Sequence, residues 1–408
     1  MSELIGVIMS GGIGNRMREL CENIPKSLLP VAGVPIFWYS INTLARAGVK
    51  DIRIFFRDSI EAEVRNLMST SLFEFEGVVI KPFFIDKDHD WGTADVLREY
   101  IGKIDRDVVI ISGDFVSDAS LRPMIDLFRA HKATLCCLLS DHCVTGPVPG
   151  PKIKRSKGRD FVARVIDPNR LVFLSAEEDF DCAVDGYAWM KKFPNITLTS
   201  TLNDCHVYVI RHGTLNMLAA KKGFASIKAD FIPYLLDQQN SSKNEDNVKC
   251  LAYVLPHENG TVTAHANNIA SYFEINKAII KSLLRVSPKM SVGQQFEYRS
   301  TRISCAESRV DEDAQINAGS VIKRSSIGAR CFLDEKAKVQ NSLLMEGARV
   351  GKNAIVTNSI LCSDVEIEDG ADVSNCIISP RQKVSANTKV QNEFIDTDDI
   401  NDDWANDC

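Results

Sequence analysis

The sequence predicts an α/β protein, a doubly wound sheet followed by a solenoid of short β-strands. Three observations carry that expectation. Apolar strand-like runs alternate with amphipathic helix-like stretches over most of the chain, a glycine turn directly follows the first apolar run, and the carboxyl-terminal region repeats with a period of 17 residues.

The first run, Ile5-Gly6-Val7-Ile8-Met9, ends in Ser10-Gly11-Gly12, the pattern of a buried parallel strand feeding a glycine turn. From Ile36 to Ala47, residues Ile36, Phe37, Ile41, Leu44 and Ala45 share one helical face, and Gly48 stops the helix before the strand-like Ile52 to Phe56. The alternation recurs with Val108 to Ile111 and the helix-like Leu121 to Arg129. Such repetition places ligand sites beyond the carboxyl ends of the strands. Pro147 to Arg159 interrupts the pattern with Lys152, Lys154, Arg155, Lys157 and Arg159, as expected of a solvated insertion. The polar stretch from Gln238 to Lys249 predicts a second exposed loop.

Four series define the repeat: Ile322, Val339, Val356, Val373; Leu333, Val350, Ile367, Val384; Ile327, Leu344, Leu361, Ile378; and Ala337, Ala354, Ala371. Branched residues every five or six positions suit three short strands per turn better than a helical repeat, with each series stacked as a ladder inside a prism. The pattern resembles the imperfect hexapeptide repeats of left-handed β-helices. It points inward with Val356 and outward with Lys352. Acyltransferases on such prisms usually use a histidine between rungs, and no histidine follows His265, which argues against acyl transfer. The expected organisation is an α/β domain over 1–280, a connecting segment over 281–300, the β-helix over 301–392 and an acidic tail over 393–408.

Net charge is −6, but Gln391 to Cys408 alone carries seven carboxylates and neither Lys nor Arg, so the body is nearly neutral. That balance gives no global attraction to nucleic acid or to a membrane surface. The twelve cysteines include no C-x-x-C pair and read as reduced, mostly buried thiols. The amino terminus lacks a basic signal-like region, and no apolar run approaches the roughly 20 residues that a membrane helix needs. A soluble cytosolic protein is expected.

The stretch most informative about chemistry is Ser10-Gly11-Gly12-Ile13-Gly14-Asn15-Arg16-Met17, followed by Ile24-Pro25-Lys26-Ser27-Leu28-Leu29-Pro30-Val31. Gly11, Gly12 and Gly14 allow close backbone approach to phosphates, and Arg16 and Lys26 add charge for their oxygens. A strand-to-helix turn with no ligand role explains the glycines alone about equally well. Asp114, after the strand-like Val108 to Ile111, is either a metal ligand or a turn-forming or helix-capping residue.

These motifs resemble the sugar-1-phosphate nucleotidyltransferases, whose signatures are G-G-x-G-x-R-[LM] and P-K-x-L-L-P-V. Gly92-Thr93-Ala94 matches their base-binding G-T-A, and Gly113-Asp114 their magnesium-binding Gly-Asp. Two departures stand out. The E-K-P that the enzymes use near the sugar is missing around Phe161 to Leu174, and Asp204-Cys205-His206-Val207-Tyr208 stands where N-A-G-x-Y is expected. His206 would fill space that a sugar ring needs, and no clear second metal carboxylate stands near Ser226 to Pro233, where only Asp230 is left open.

Phe37 to Asn42, Trp91 to Asp95, Ser226-Ile227, Ile232 to Leu235 and Tyr272 to Asn276 further resemble the gamma-subunit family of translation initiation factor 2B. That resemblance implies a non-catalytic subunit of a hetero-decameric guanine-nucleotide exchange factor. Its direct partner would be the epsilon subunit, with alpha, beta and delta in the same assembly and initiation factor 2 as substrate G protein. It implies no required cofactor, with GTP or ATP and magnesium bound at most weakly. The alternative is a mannose-1-phosphate guanylyltransferase-like enzyme.

Overall fold

The computed structural model describes residues 3–86, 88–141, 148–151, 159–166, 169–179, 187–241, 248–255, 261–286 and 304–396. Most of the basic insertion, the connecting segment from 287 and the acidic tail from 397 lie outside the described residues. The chain forms two compact units: Met1–Gly12, Phe37–Cys143 and Ser156–His265 in the first, and Ile13–Ile36, Val144–Arg155 and Ala266–Cys408 in the second.

The first unit is built on a ten-stranded sheet. Its strands are β1 (Leu4–Met9), β2 (Asp51–Arg57), β3 (Val79–Ile85), β4 (Asp107–Ser112), β5 (Leu135–Ser140), β6 (Asp160–Val165), β7 (Arg170–Ala176), β8 (Ile196–Thr199), β9 (Asn203–Ile210) and β10 (Cys250–Val254). They lie in the order β8-β6-β7-β10-β5-β9-β4-β1-β2-β3. The four strands β3-β2-β1-β4 are parallel. The chain steps from β1 outward to β3 and then returns to β4 on the other side of β1, which makes the β1/β4 boundary a topological switch point. Beyond it the sheet is mixed, with β9 antiparallel to both β4 and β5. The predicted helix runs Ile36–Arg46 and buries Phe37, Ile41 and Leu44, with Gly48 at φ +91° in the turn that ends it.

The Gln238 to Lys249 stretch departs from the loop expected of it. Its first part belongs to the helix Ile232–Ser241, and Gln239 is buried. The Gln239 amide donates to the Leu171 carbonyl (2.7 Å) and accepts from the Cys250 N–H (2.8 Å), so a polar side chain here serves strand backbone rather than solvent.

In the second unit, three parallel sheets of two- and three-residue strands stack into a β-helix, the architecture the 17-residue ladders predicted. Register pairs Ile322, Val339, Val356 and Val373 in succession, and likewise Leu333 to Val384 and Ile327 to Ile378. All of these side chains are buried. Corners are turned by residues at positive φ, among them Asn341, Asn358, Asn375 and Asn392. Their side-chain amides bond in a continuous ladder at 2.5 to 2.6 Å. Beside it, the hydroxyls of Ser325, Ser342 and Ser359 each accept the backbone N–H one rung on.

Candidate functional site

At the switch point, the carboxyl ends of β1 and β4 come close. The Gly113 N–H donates to the Met9 carbonyl (2.8 Å), and a Cβ at Gly113 would lie 2.3 Å from the Ser10 hydroxyl oxygen, so only glycine fits. The Ser10 oxygen is itself buried without a hydrogen-bond partner among the described residues. Gly11 and Gly12 differ from Gly113: a Cβ at either position would meet nothing within 4 Å among the described residues. Packing among those residues therefore does not require glycine there, whereas close approach of an external group would. The Gly11 carbonyl accepts from the Arg57 guanidinium (2.8 Å). Asp114 is buried and accepts from the Ser112 hydroxyl (2.5 Å). It does not cap the following helix, Arg122–Ala130, whose cap position is Leu121. Among the described residues, no group of three or more His, Cys, Asp or Glu is placed to hold a metal ion.

Gly14, Arg16 and Lys26 belong to the second unit. Gly14 has φ +85°, and a Cβ there would lie 2.7 Å from Cys21 Sγ and 3.3 Å from Lys26 Cβ, so this glycine is required by its own surroundings. Burial pushes the Cys21 thiol up to about 11. Arg16 is exposed and Lys26 half-buried.

Gly92 and Thr93 open the helix Thr93–Tyr100 in the first unit. The Thr93 hydroxyl accepts from the Ile227 N–H (2.9 Å), the Ala94 N–H donates to the Ala225 carbonyl (2.8 Å), and a Cβ at Gly92 would collide with that carbonyl at 2.2 Å. This G-T-A segment thus fastens the 225–227 turn. Asp230 acts on the same turn: one carboxylate oxygen accepts from the N–H groups of Ala225 (2.9 Å) and Ser226 (2.7 Å).

A cluster of polar side chains gathers around β9, the strand that carries the Asp204 to Tyr208 segment read from the sequence against N-A-G-x-Y. The β9 register against β5 slips between Asp204 and Tyr208, and within this bulge His206 adopts φ +52°. The backbone keeps a conformation that favours glycine, yet the residue is histidine. Its ring stacks on His265 with centroids 4.5 Å apart, and its Nε2 lies 3.4 Å from Lys228 Nζ. Lys228 also donates to Asp160 (2.8 Å) and lies 3.9 Å from Asp204, while the other Asp160 oxygen accepts from the Asp204 N–H (2.7 Å). Asp204, fully buried, accepts from the Tyr208 hydroxyl (2.5 Å) and the His206 N–H (3.0 Å). Burial pushes the Asp204 carboxyl up against the opposing pull of Lys228 and Tyr208. Burial works against the Lys228 ammonium too, but Asp204 and Asp160 hold it above its ordinary value. Asp160 and Lys228 were not among the residues singled out from sequence, because each finds its partners only across the fold.

Residues 5–143 match the family model described as nucleotidyl transferase, and residues 305–404 the one described as the GMPPB C-terminal domain. The chain is 44% identical over 328 residues to translation initiation factor eIF2B subunit gamma of Caenorhabditis elegans, covering 80% of each protein. Identity to the subunit of the same name from Schizosaccharomyces pombe is 26% over 358 residues, 78% of this chain and 72% of the relative. Similarity to the mannose-1-phosphate guanylyltransferase of Mycobacterium tuberculosis, 28% over 139 residues, covers 31% of this chain and 34% of that enzyme. The likeness to this transferase is thus confined to one part of the chain, whereas the likeness to the gamma subunits spans most of it.

Proposed function

The chain belongs to the family of translation initiation factor eIF2B gamma subunits, and from that premise we propose that it is a non-catalytic subunit of the factor that exchanges GDP for GTP on initiation factor 2. The observation that supports this most is the cluster of Asp160, Asp204, His206 and Lys228. These groups satisfy one another, and on the motif reading His206 fills space that the ring of a sugar phosphate needs. Nucleotidyl transfer depends on holding that group in line with the nucleotide's α-phosphate, so its displacement removes much of the acceleration. In this reading the nucleotidyltransferase-like unit is a scaffold with a degenerate transferase site.

The phosphate side fits a ligand better than the sugar side does. Gly11 and Gly12 leave open space at their Cβ positions, and Ser10 offers an unused buried hydroxyl oxygen. From the sequence motif alone we assign Arg16 and Lys26 to the phosphate oxygens of GTP or ATP, Gly92 and Thr93 to the base and Asp114 to magnesium. Magnesium would supply charge neutralisation at the phosphates. Binding there is retained without turnover.

As partners we assign the epsilon subunit directly, alpha, beta and delta in a common hetero-decamer, and initiation factor 2 as the substrate G protein, all in the cytosol. Among the described residues, no helix is long and apolar enough to cross a membrane. The match of residues 5–143 to the nucleotidyl transferase model favours a second reading, guanylyl transfer to mannose 1-phosphate. Incubating the purified chain with GTP, mannose 1-phosphate and magnesium separates the two. The proposal expects no GDP-mannose above background, and robust synthesis overturns it.

A further inference from the structure

The segment that carries Arg16 and Lys26 belongs, by its packing, to the unit that contains the β-helix. Each β-helix strand alternates an inward ladder residue with an outward neighbour, and the outward residues of the three sheets differ. On the sheet of Gln315–Ile316, Phe332–Leu333, Arg349–Val350, Glu366–Ile367 and Lys383–Val384, the outward Gln315, Arg349, Glu366 and Lys383 are exposed. On the sheet of Arg309–Val310, Ser326–Ile327, Leu343–Leu344, Ile360–Leu361, Ile377–Ile378 and Phe394–Ile395, the outward Leu343, Ile360 and Ile377 are 3%, 0% and 1% exposed. This outer face is covered.

Contacts within the unit identify the cover. Cys362 Sγ lies 3.9 Å from the Glu19 carbonyl, and a Cβ on Gly33 would stand 3.2 Å from the Arg309 guanidinium. Gly150 closes the far end, its N–H donating to the Asn375 carbonyl (2.8 Å) and its Cα facing the Ile377 side chain. The helix Ile269–Ile280 grips the same segment. Asn276 accepts from the Ala32 N–H (2.8 Å), and the Tyr272 hydroxyl donates to the Pro30 carbonyl (2.5 Å). Those two bonds hold a tight hairpin, Pro30–Val31 against Val34–Pro35, in which Ala32 sits at φ +46° and Gly33 at φ +75°. An alanine in that conformation is maintained only when its surroundings enforce it.

We infer that the outer face of this β-helix sheet, with the helix Ile269–Ile280, is the mount that fixes the phosphate-binding segment. Ile360, Arg309 and Asn276 are accordingly positioning residues for nucleotide. The inference rests on the reading that Arg16 and Lys26 contact phosphates. Linkage makes the coupling reciprocal: bound nucleotide stiffens the cover of the β-helix, and a protein that grips the β-helix alters nucleotide affinity.

Two substitutions test it in the full-length chain. Ile360→Ala thins the mount while leaving the inward Leu361 in place, and Asn276→Ala removes the acceptor of the Ala32 amide, which Asn276→Asp retains. Amide exchange is followed at residues 17–34 and at the inward ladder positions 339, 356 and 373, and magnesium-GTP affinity is measured by calorimetry. The expected result is exchange faster by about tenfold or more at 17–34 with the ladder unchanged, GTP affinity lowered in step, and recovery of both in Asn276→Asp. Unchanged exchange at 17–34 in both alanine variants overturns the mount. Faster exchange with undiminished GTP affinity overturns the positioning role and leaves the phosphate reading standing. Absence of GTP binding in the unaltered chain removes the phosphate reading, and the positioning role with it, even if exchange responds.

Discussion

Val356→Asp places a carboxylate in the interior of the prism. Val356 is fully buried, stacked between Val339 and Val373 and enclosed by the other apolar ladders. Losing the valine's burial costs about 1.5 kcal/mol or more. Desolvating the new carboxylate adds about 1.4 kcal/mol for each unit by which its pKa rises, until it folds in protonated form. The sum is on the order of 3 kcal/mol or more. Because the folded-state pKa lies above the unfolded one, the folded chain keeps a proton that the unfolded chain has lost. The penalty therefore grows as pH rises from about 4 and shrinks on acidification. The control must be an outward residue. Lys352 is outward as the periodicity predicted, but it pairs with Glu335 at 2.7 Å, so Lys338→Asp, at an exposed position in a neighbouring strand, is the cleaner choice. Urea melts at pH 7 and pH 4.5 should show a large loss for Val356→Asp that narrows at the lower pH, and little change for Lys338→Asp. Equal loss in both variants would refute the inward register.

Three further predictions concern polar groups. Asn358→Ala removes two bonds of the amide ladder and leaves an alanine at φ +48°, so it should cost about 2 kcal/mol, whereas Asn358→Gly keeps the backbone freedom and should cost less; equal losses would mean that the corner conformation contributes nothing. Lys228→Met strands the buried Asp160 and Asp204 carboxylates and should cost roughly 3 kcal/mol. With its pKa raised by burial, Asp204 lowers stability as pH rises from about 4 toward its folded value. Asp204→Asn should flatten that slope, and an unaltered slope in the pH series of melts would show that the group titrates normally.

The β-helix was legible because its ladders obey one period that no helix satisfies. The same period runs through Asn341, Asn358, Asn375 and Asn392 and through Ser325, Ser342 and Ser359, but polar residues at such spacing look like ordinary turn residues until the fold stacks them into ladders. The first strands and the helix Ile36–Arg46 were equally plain, since each is set by local pattern. The surroundings of His206 were not. Lys228 and His265 reach it, and Asp160 reaches Lys228, from distant positions in the chain, and nothing in local spacing pairs them. Gln239 misled for the opposite reason: its polar neighbours look like loop, while its amide is spent on two strands. The mounting of residues 13–36 on the β-helix unit left no periodic trace, because short turns and a two-residue hairpin make the contacts.

Release of labelled GDP from initiation factor 2, measured with this chain alone, with epsilon alone and with both together, tests the central claim most directly. No acceleration is expected from this chain alone, and release should be faster with the pair than with epsilon, because a second subunit adds binding energy away from the nucleotide. Rates for the pair equal to those of epsilon alone, or rapid release by this chain unaided, would contradict it.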